Sequence, residues 1–151
     1  MANSQAIATS FKGEVLSGIH ALGTTVVRAG TTADTVKAAL YLASASIGAA
    51  TTAYSATGEV SGTNYSAGGV TVTNGTAPTT SGTTGFWTPS ANIVYTNVTL
   101  STAFDCVLLY NSTQSNKAIA SYTFGSQTIT AGTFTLSMPV NDASNALLRL
   151  S

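Results

Sequence analysis

The chain has 151 residues, of which 44% are hydrophobic and 7% charged, and its five basic and five acidic side chains cancel. Disordered chains are poor in apolar residues and rich in charge, and average soluble proteins carry about 25% charged residues, so the composition excludes disorder and describes one folded domain of unusually low charge. Lys12, Arg28, Lys37, Lys117 and Arg149 are scattered, which argues against nucleic acid as a partner and against charge-driven attachment to a membrane, because both need clustered cations.

Residues 1–23 read as an N-terminal helix or an extended arm, and residues 24–151 as a β-domain. Phe11, Val15, Ile19 and Leu22 recur at helical spacing, Ser10 is placed to cap the start, and Gly23 stands where a helix stops. From residue 24 the period changes to two. Thr24–Arg28 is a short β-branched run, and Thr35–Leu42 alternates, with Val36, Ala38, Leu40 and Leu42 on one face. Strands are expected at Val70–Thr73, Phe86–Thr88, Ile93–Leu100, Phe104–Tyr110, Ile119–Phe124, Phe134–Met138 and Ala146–Leu150. Asn74-Gly75, Ser81-Gly82, Asn111-Ser112, Ala131-Gly132 and Asn141-Asp142 supply turn chemistry between them. About eight short strands without alternating helices predict an all-β fold, a β-sandwich or jelly roll. Thr, the commonest residue, suits outward strand positions because it is both β-favouring and polar. Ala43–Ser61 and Gly75–Gly85 read as long loops, which in a compact domain are often contact sites.

Chemistry is scarce. His20 is the only histidine, and Cys106, the only cysteine, sits in the apolar run Phe104–Tyr110 as a small core residue. One cysteine makes no intramolecular disulfide and no multi-cysteine zinc site. Glu14, Asp34, Glu59, Asp105 and Asp142 are spread along the chain near turns or strand ends, where capping or solvation accounts for them. Ser66-Ala67-Gly68-Gly69 lacks the lysine of a phosphate loop. No catalytic residue, metal or cofactor is therefore expected. The start, Met-Ala-Asn-Ser-Gln, does not resemble a signal peptide, and no run of about 18 apolar residues is present. The expectation is synthesis in the cytoplasm.

The distinctive remaining residues are aromatic. Phe86 and Trp87, with Tyr41, Tyr54, Tyr65, Tyr95, Tyr110 and Tyr122, could line a sugar-binding face or a protein interface, or fill the sandwich interior. Phe11, Val15, Ile19, Tyr54, Phe86 and Trp87 are the candidate partner contacts.

The opening Thr9–His20 resembles the start of small virion proteins of tailed bacteriophages. Similar stretches are Asp34–Tyr41, Thr52–Tyr54 running on to Gly58–Gly69, Leu109–Thr113, Phe124–Ser126, Thr130–Phe134 and Leu147–Leu150. The likeness covers nearly the whole chain. It implies a structural subunit of the virion, of the capsid cement or decoration type, on the outside of the shell. Its partners would be the major capsid protein and further copies of itself as a dimer or trimer. A neck, head-fibre or tail component is the alternative, and a carbohydrate-binding β-module a third. The family motifs are structural, so no catalytic residue carries over.

Overall fold

The computed structural model describes residues 2–16, 18–23 and 32–151. The elements are β1 (Ala6–Ile7), α1 (Thr9–Leu16), β2 (Val36–Leu42), β3 (Val70–Thr71), β4 (Thr79–Ser81), β5 (Thr84–Trp87), β6 (Ile93–Asn111), β7 (Lys117–Leu136) and β8 (Leu148–Leu150). They form two antiparallel sheets, one of five strands in the order β1-β7-β6-β2-β3 and one of three in the order β4-β5-β8. This is the all-β architecture of about eight strands, with a short N-terminal helix, that the period-two pattern indicates. The β-branched run Thr24–Arg28 lies outside the described residues.

The hairpin β6–β7 is the backbone of the fold. β2 pairs along its turn-proximal half, from Val36 opposite Asn111 to Leu42 opposite Phe104. Val36, Ala38, Ala39, Leu40 and Tyr41 are fully buried there, because β2 is central and covered on both faces, as its apolar run requires. Trp87 of β5 and Leu148 of β8 belong to the same core as β2, β6 and Ile119 of β7. The Tyr122 hydroxyl donates to the Leu147 carbonyl at 2.6 Å, tying the five-stranded sheet to the start of β8. Both sheets therefore close over one interior.

Three local expectations are corrected. The helix ends at Leu16 and not near Gly23. Gly18 has φ +66°, its amide reaches the Val15 carbonyl, and the Ile19 amide reaches the Glu14 carbonyl. That pair of bonds is a Schellman C-cap, which needs a residue in the left-handed region, and glycine adopts it without a Cβ penalty. Ile19 and Leu22 consequently leave the helical face that Phe11 and Val15 share. Second, the expected breaks inside 93–110 and 119–138 are bulges, not turns. The β6–β7 register slips at several points between Tyr95 and Cys106, and Ala131 sits at φ +46° inside β7. Third, the stretch Gly75–Gly85 is not all loop, since Thr79–Ser81 pairs with Thr84–Phe86 around Gly82.

The N-terminal segment is built into this body. β1 pairs with Ser121 and Ala120 of β7, and Ala8 and Phe11 are buried in the shared core.

Gly69 marks the closest backbone approach. It has φ +70°, and a Cβ there would lie 1.7 Å from the Ala38 carbonyl oxygen on β2, which already accepts the Tyr95 hydroxyl at 2.9 Å. We expect Gly69→Ala to lower the unfolding free energy by about 3 kcal/mol, from combined backbone strain and overpacking. Chemical denaturation would measure this, with Gly82→Ala as comparison: Gly82 has φ +58° but open space around its Cβ, so its loss isolates the backbone part.

Candidate docking cleft and the polar networks behind it

The described residues contain two partly buried polar networks and one apolar cleft. Lys117, Glu14, His20, Asn111 and Asp34 form the first network. Lys117 Nζ donates to Glu14 Oε1 at 2.8 Å, and His20 Nε2 lies 2.8 Å from Glu14 Oε2. On the other side of the ring, Asn111 Nδ2 meets His20 Nδ1 at 3.0 Å and donates to Asp34 Oδ2 at 2.7 Å. An amide nitrogen only donates, so Nδ1 must accept, and the ring proton sits on Nε2 and points at Glu14. Both ring nitrogens are thus engaged, and neither faces a hydroxyl nucleophile. Asp34 also accepts from the Ala21 amide at 2.7 Å and from Gln114 Nε2 at 3.1 Å. It is buried, and it joins the segment after α1 to the β6–β7 turn. Its sequence position beside a turn suggested a solvated acid, but its partners are remote in sequence, so nothing local signalled the burial.

The second network centres on Glu59. Oε2 accepts the Tyr54 hydroxyl at 2.6 Å, and Oε1 accepts the Tyr65 hydroxyl and the Gly68 amide, both at 2.8 Å. Tyr54 stacks on Tyr110 with ring centroids 4.8 Å apart, and Tyr65 stacks on Tyr95 at 6.0 Å. The Tyr110 hydroxyl bonds the Gly68 carbonyl, and the Tyr41 hydroxyl the Ser55 carbonyl. All six tyrosines have raised pKa values, with burial the leading cause. Tyr54 is pushed up to about 12 by burial, followed by its hydrogen bond to the Glu59 carboxylate and the charge of that group. Cys106 is likewise buried, and burial and the neighbouring Asp105 charge push its thiol up to about 12. A thiol at that value holds almost no thiolate at neutral pH, so it is a poor nucleophile. Among the described residues, no group of three or more His, Cys, Asp or Glu is placed to hold a metal.

The cleft lies between the helical segment and the three-stranded sheet. It has a volume of about 580 Å³, and Phe11, Val15 and Leu22 form one wall while Pro78, Phe86, Trp87, Leu148 and Leu150 form the other. Among the described residues, His20 is the one titratable side chain along it, and no carboxylate, lysine or arginine lines it. Phe11, Phe86 and Trp87 are buried on its floor, whereas Val15 and Leu150 are exposed at its rim. Four of the six candidate contacts named from sequence therefore meet in one place. The other two do not. Ile19 is half-buried beyond the Schellman cap, and Tyr54 belongs to the Glu59 network. Pro78, which lies in the stretch Gly75–Gly85 marked from sequence as a contact loop, and Leu150, whose place depends on β8 pairing with β5, complete the cleft.

Trp87 offers no free indole. Its Nε1 donates to the Thr76 carbonyl at 2.9 Å, and the residue is 2% exposed. With the tyrosines turned inward, the aromatic set does not form the exposed, flat platform on which a sugar ring stacks. No family model, curated protein or solved structure matches the chain. No described helix is long and apolar enough to cross a membrane.

Two outcomes follow from these networks. Replacing Glu59 by Gln removes the charge that holds three donors, and we expect a loss of about 2 kcal/mol in stability. In a spectrophotometric titration of the same variant, Tyr54 should ionise below its wild-type value of about 12. For Glu14, burial acts to raise the pKa, but hydrogen bonds from Lys117 and His20 and the Lys117 charge outweigh it and hold the carboxyl below its ordinary value of 4.5. A depressed carboxyl contributes its stability above the unfolded pKa and loses it as pH falls through the folded one. Lys117→Met should therefore move the acid-unfolding midpoint to higher pH and cost about 1 kcal/mol at neutral pH, as read from denaturation curves across the acid range.

Proposed function

We propose that this chain is a structural subunit of a virion, a cement or decoration protein of a tailed-bacteriophage head. In this reading it binds the major capsid protein on the outer shell and acts through fit, without chemical turnover. The observation that supports it best is the cleft, an apolar recess without a charged side chain among the described residues and with exposed Val15 and Leu150 at its rim, on a body whose carboxylates are engaged in holding its own loops. An apolar recess of this kind takes an apolar side chain or short segment of a partner protein. One such contact is weak, but many symmetry-related copies on a shell multiply it through avidity. A ligand that binds the assembled shell and not its parts stabilises the shell by mass action.

The test uses shells assembled with and without the protein. Shells that carry it should lose their contents at a higher temperature than bare ones. Val15→Asp and Leu150→Asp lie at the rim, so these variants should keep the wild-type denaturation midpoint in isolation while binding shells at least about tenfold more weakly, the cost of burying one uncompensated charge. Equal heat resistance with and without the protein would reject cementing. Counting copies per particle on a stained gel separates a shell subunit, present in large numbers, from a neck, head-fibre or tail component, present in few.

A further inference from the structure

The outer edge of β7 is a long strand edge that the described chain leaves open. On one side β7 pairs with β6 from end to end, from Asn111 opposite Lys117 to Ile93 opposite Leu136. On the other side its only strand partner is β1, at Ala120 and Ser121. Beyond Tyr122, among the described residues, no strand pairs with that edge as far as Leu136. Natural proteins blunt such edges with lysine, proline, an inward charge, a bulge or a covering element, because a row of unpaired backbone groups templates another strand. This edge carries bulges but no charge and no proline from Ala118 to Met138.

The edge is also held rigid. Phe124 and Phe134 on the inner face of β7 pack on Phe104 of β6, with ring centroids 5.9 and 5.2 Å away, and on each other at 5.2 Å. Phe134 also meets Tyr95 at 6.1 Å. These rings fix the strand, bulges included, before any partner arrives, so little further ordering is needed on association. The outward side chains Thr128, Thr130, Thr133 and Thr135 are exposed.

We infer that the edge of β7 from Gln127 to Leu136 is a homotypic β-pairing surface whose occupant is the same edge of a second copy, running antiparallel. Self-pairing is favoured by charge. The strand is neutral, the chain carries five basic and five acidic residues, and two copies meet without net repulsion. An antiparallel two-fold arrangement is self-complementary, and it sets outward threonines opposite one another, a pairing that stabilises sheets. Register irregularities fall between Gln127 and Ile129 and about Ala131, whereas Phe134–Leu136 pairs with β6 without a break; exposed threonines stand on both sides of Ala131.

This surface is distinct from the cleft, and its test needs no capsid. Sedimentation of the full chain over a concentration series should show reversible self-association. The variant Thr130→Glu/Thr135→Glu should associate at least about tenfold more weakly, since like charges directly opposite destabilise a strand pair, and Thr130→Lys/Thr135→Lys should do the same. Mixing the two variants should restore association. That restoration also shows that both variants are folded, and hydrogen exchange in the mixture should protect amides between Gln127 and Leu136. A wild-type chain that sediments as a monomer throughout would overturn the inference. So would variants that associate as tightly as wild type, or a mixture that stays apart. Shell binding that survives in the glutamate variant would leave the cleft reading standing alone, and loss of shell binding in the rim variants would leave self-association untouched.

Discussion

The fold depends on how one carboxylate is held. Glu59 lies in a long stretch of small and polar residues that has little apolar surface with which to pack. It receives two phenolic hydroxyls and a backbone amide, and charge-assisted bonds of that kind are roughly twice as strong as neutral ones. The two phenols belong to Tyr54 and Tyr65, whose rings stack on Tyr110 and Tyr95 of β6. A loop that would otherwise be solvated is thereby fastened to the face of the five-stranded sheet. The fastening needs the chain to pass within contact of β2 at Gly69, where no side chain fits. Tyr65 completes the attachment by accepting the Leu40 amide of β2 at 3.0 Å.

The same logic accounts for the low charge of the surface. All five carboxylates accept hydrogen bonds within the structure: Glu14 from Lys117, Asp34 from Asn111 and Gln114, Glu59 from its tyrosines, Asp105 from Asn3, and Asp142 from the Ser144 and Asn145 amides. Asn3 reaches Asp105 at 2.6 Å while also donating to the Leu42 carbonyl, so this acid secures the N-terminus against β2 and β6. Acids in this chain organise loops and ends. The exterior is left to threonine and serine, which hydrate a surface but repel neighbours weakly.

Much of the fold was legible because β periodicity is local. The alternation in Thr35–Leu42 places β2 to within one residue, and Asn111-Ser112 and Ser81-Gly82 mark the turns that close β6–β7 and β4–β5. What escaped has physical causes. Gly18 and Gly23 are both able to end a helix, and the choice was made by the bonds from Ile19 and Gly18 to Glu14 and Val15. Ala131-Gly132 reads as a turn from composition alone, since a bulge and a turn both ask for a positive φ, and only pairing with β6 distinguishes them. The candidate site was half legible. Phe11, Val15, Phe86 and Trp87 stand out as large apolar groups among small residues, and they do converge. Which of the open roles the tyrosines take was not legible, because their partners are remote: Glu59 holds Tyr54 and Tyr65, and backbone carbonyls take the other four hydroxyls.

Two surfaces, the apolar cleft and the neutral edge of β7, are preformed, so association through either forfeits little conformational entropy. They lie on different elements, α1 with β4, β5 and β8 for the first and β7 for the second, so engaging one leaves the other open. In the proposed role that separation matters. A subunit with one heterotypic and one homotypic surface can link neighbours while remaining bound to what lies beneath, and each link raises the effective concentration of the next. Weak contacts are then an advantage. Individually strong ones would trap misplaced copies, whereas contacts that reverse until several close together let a regular array correct itself.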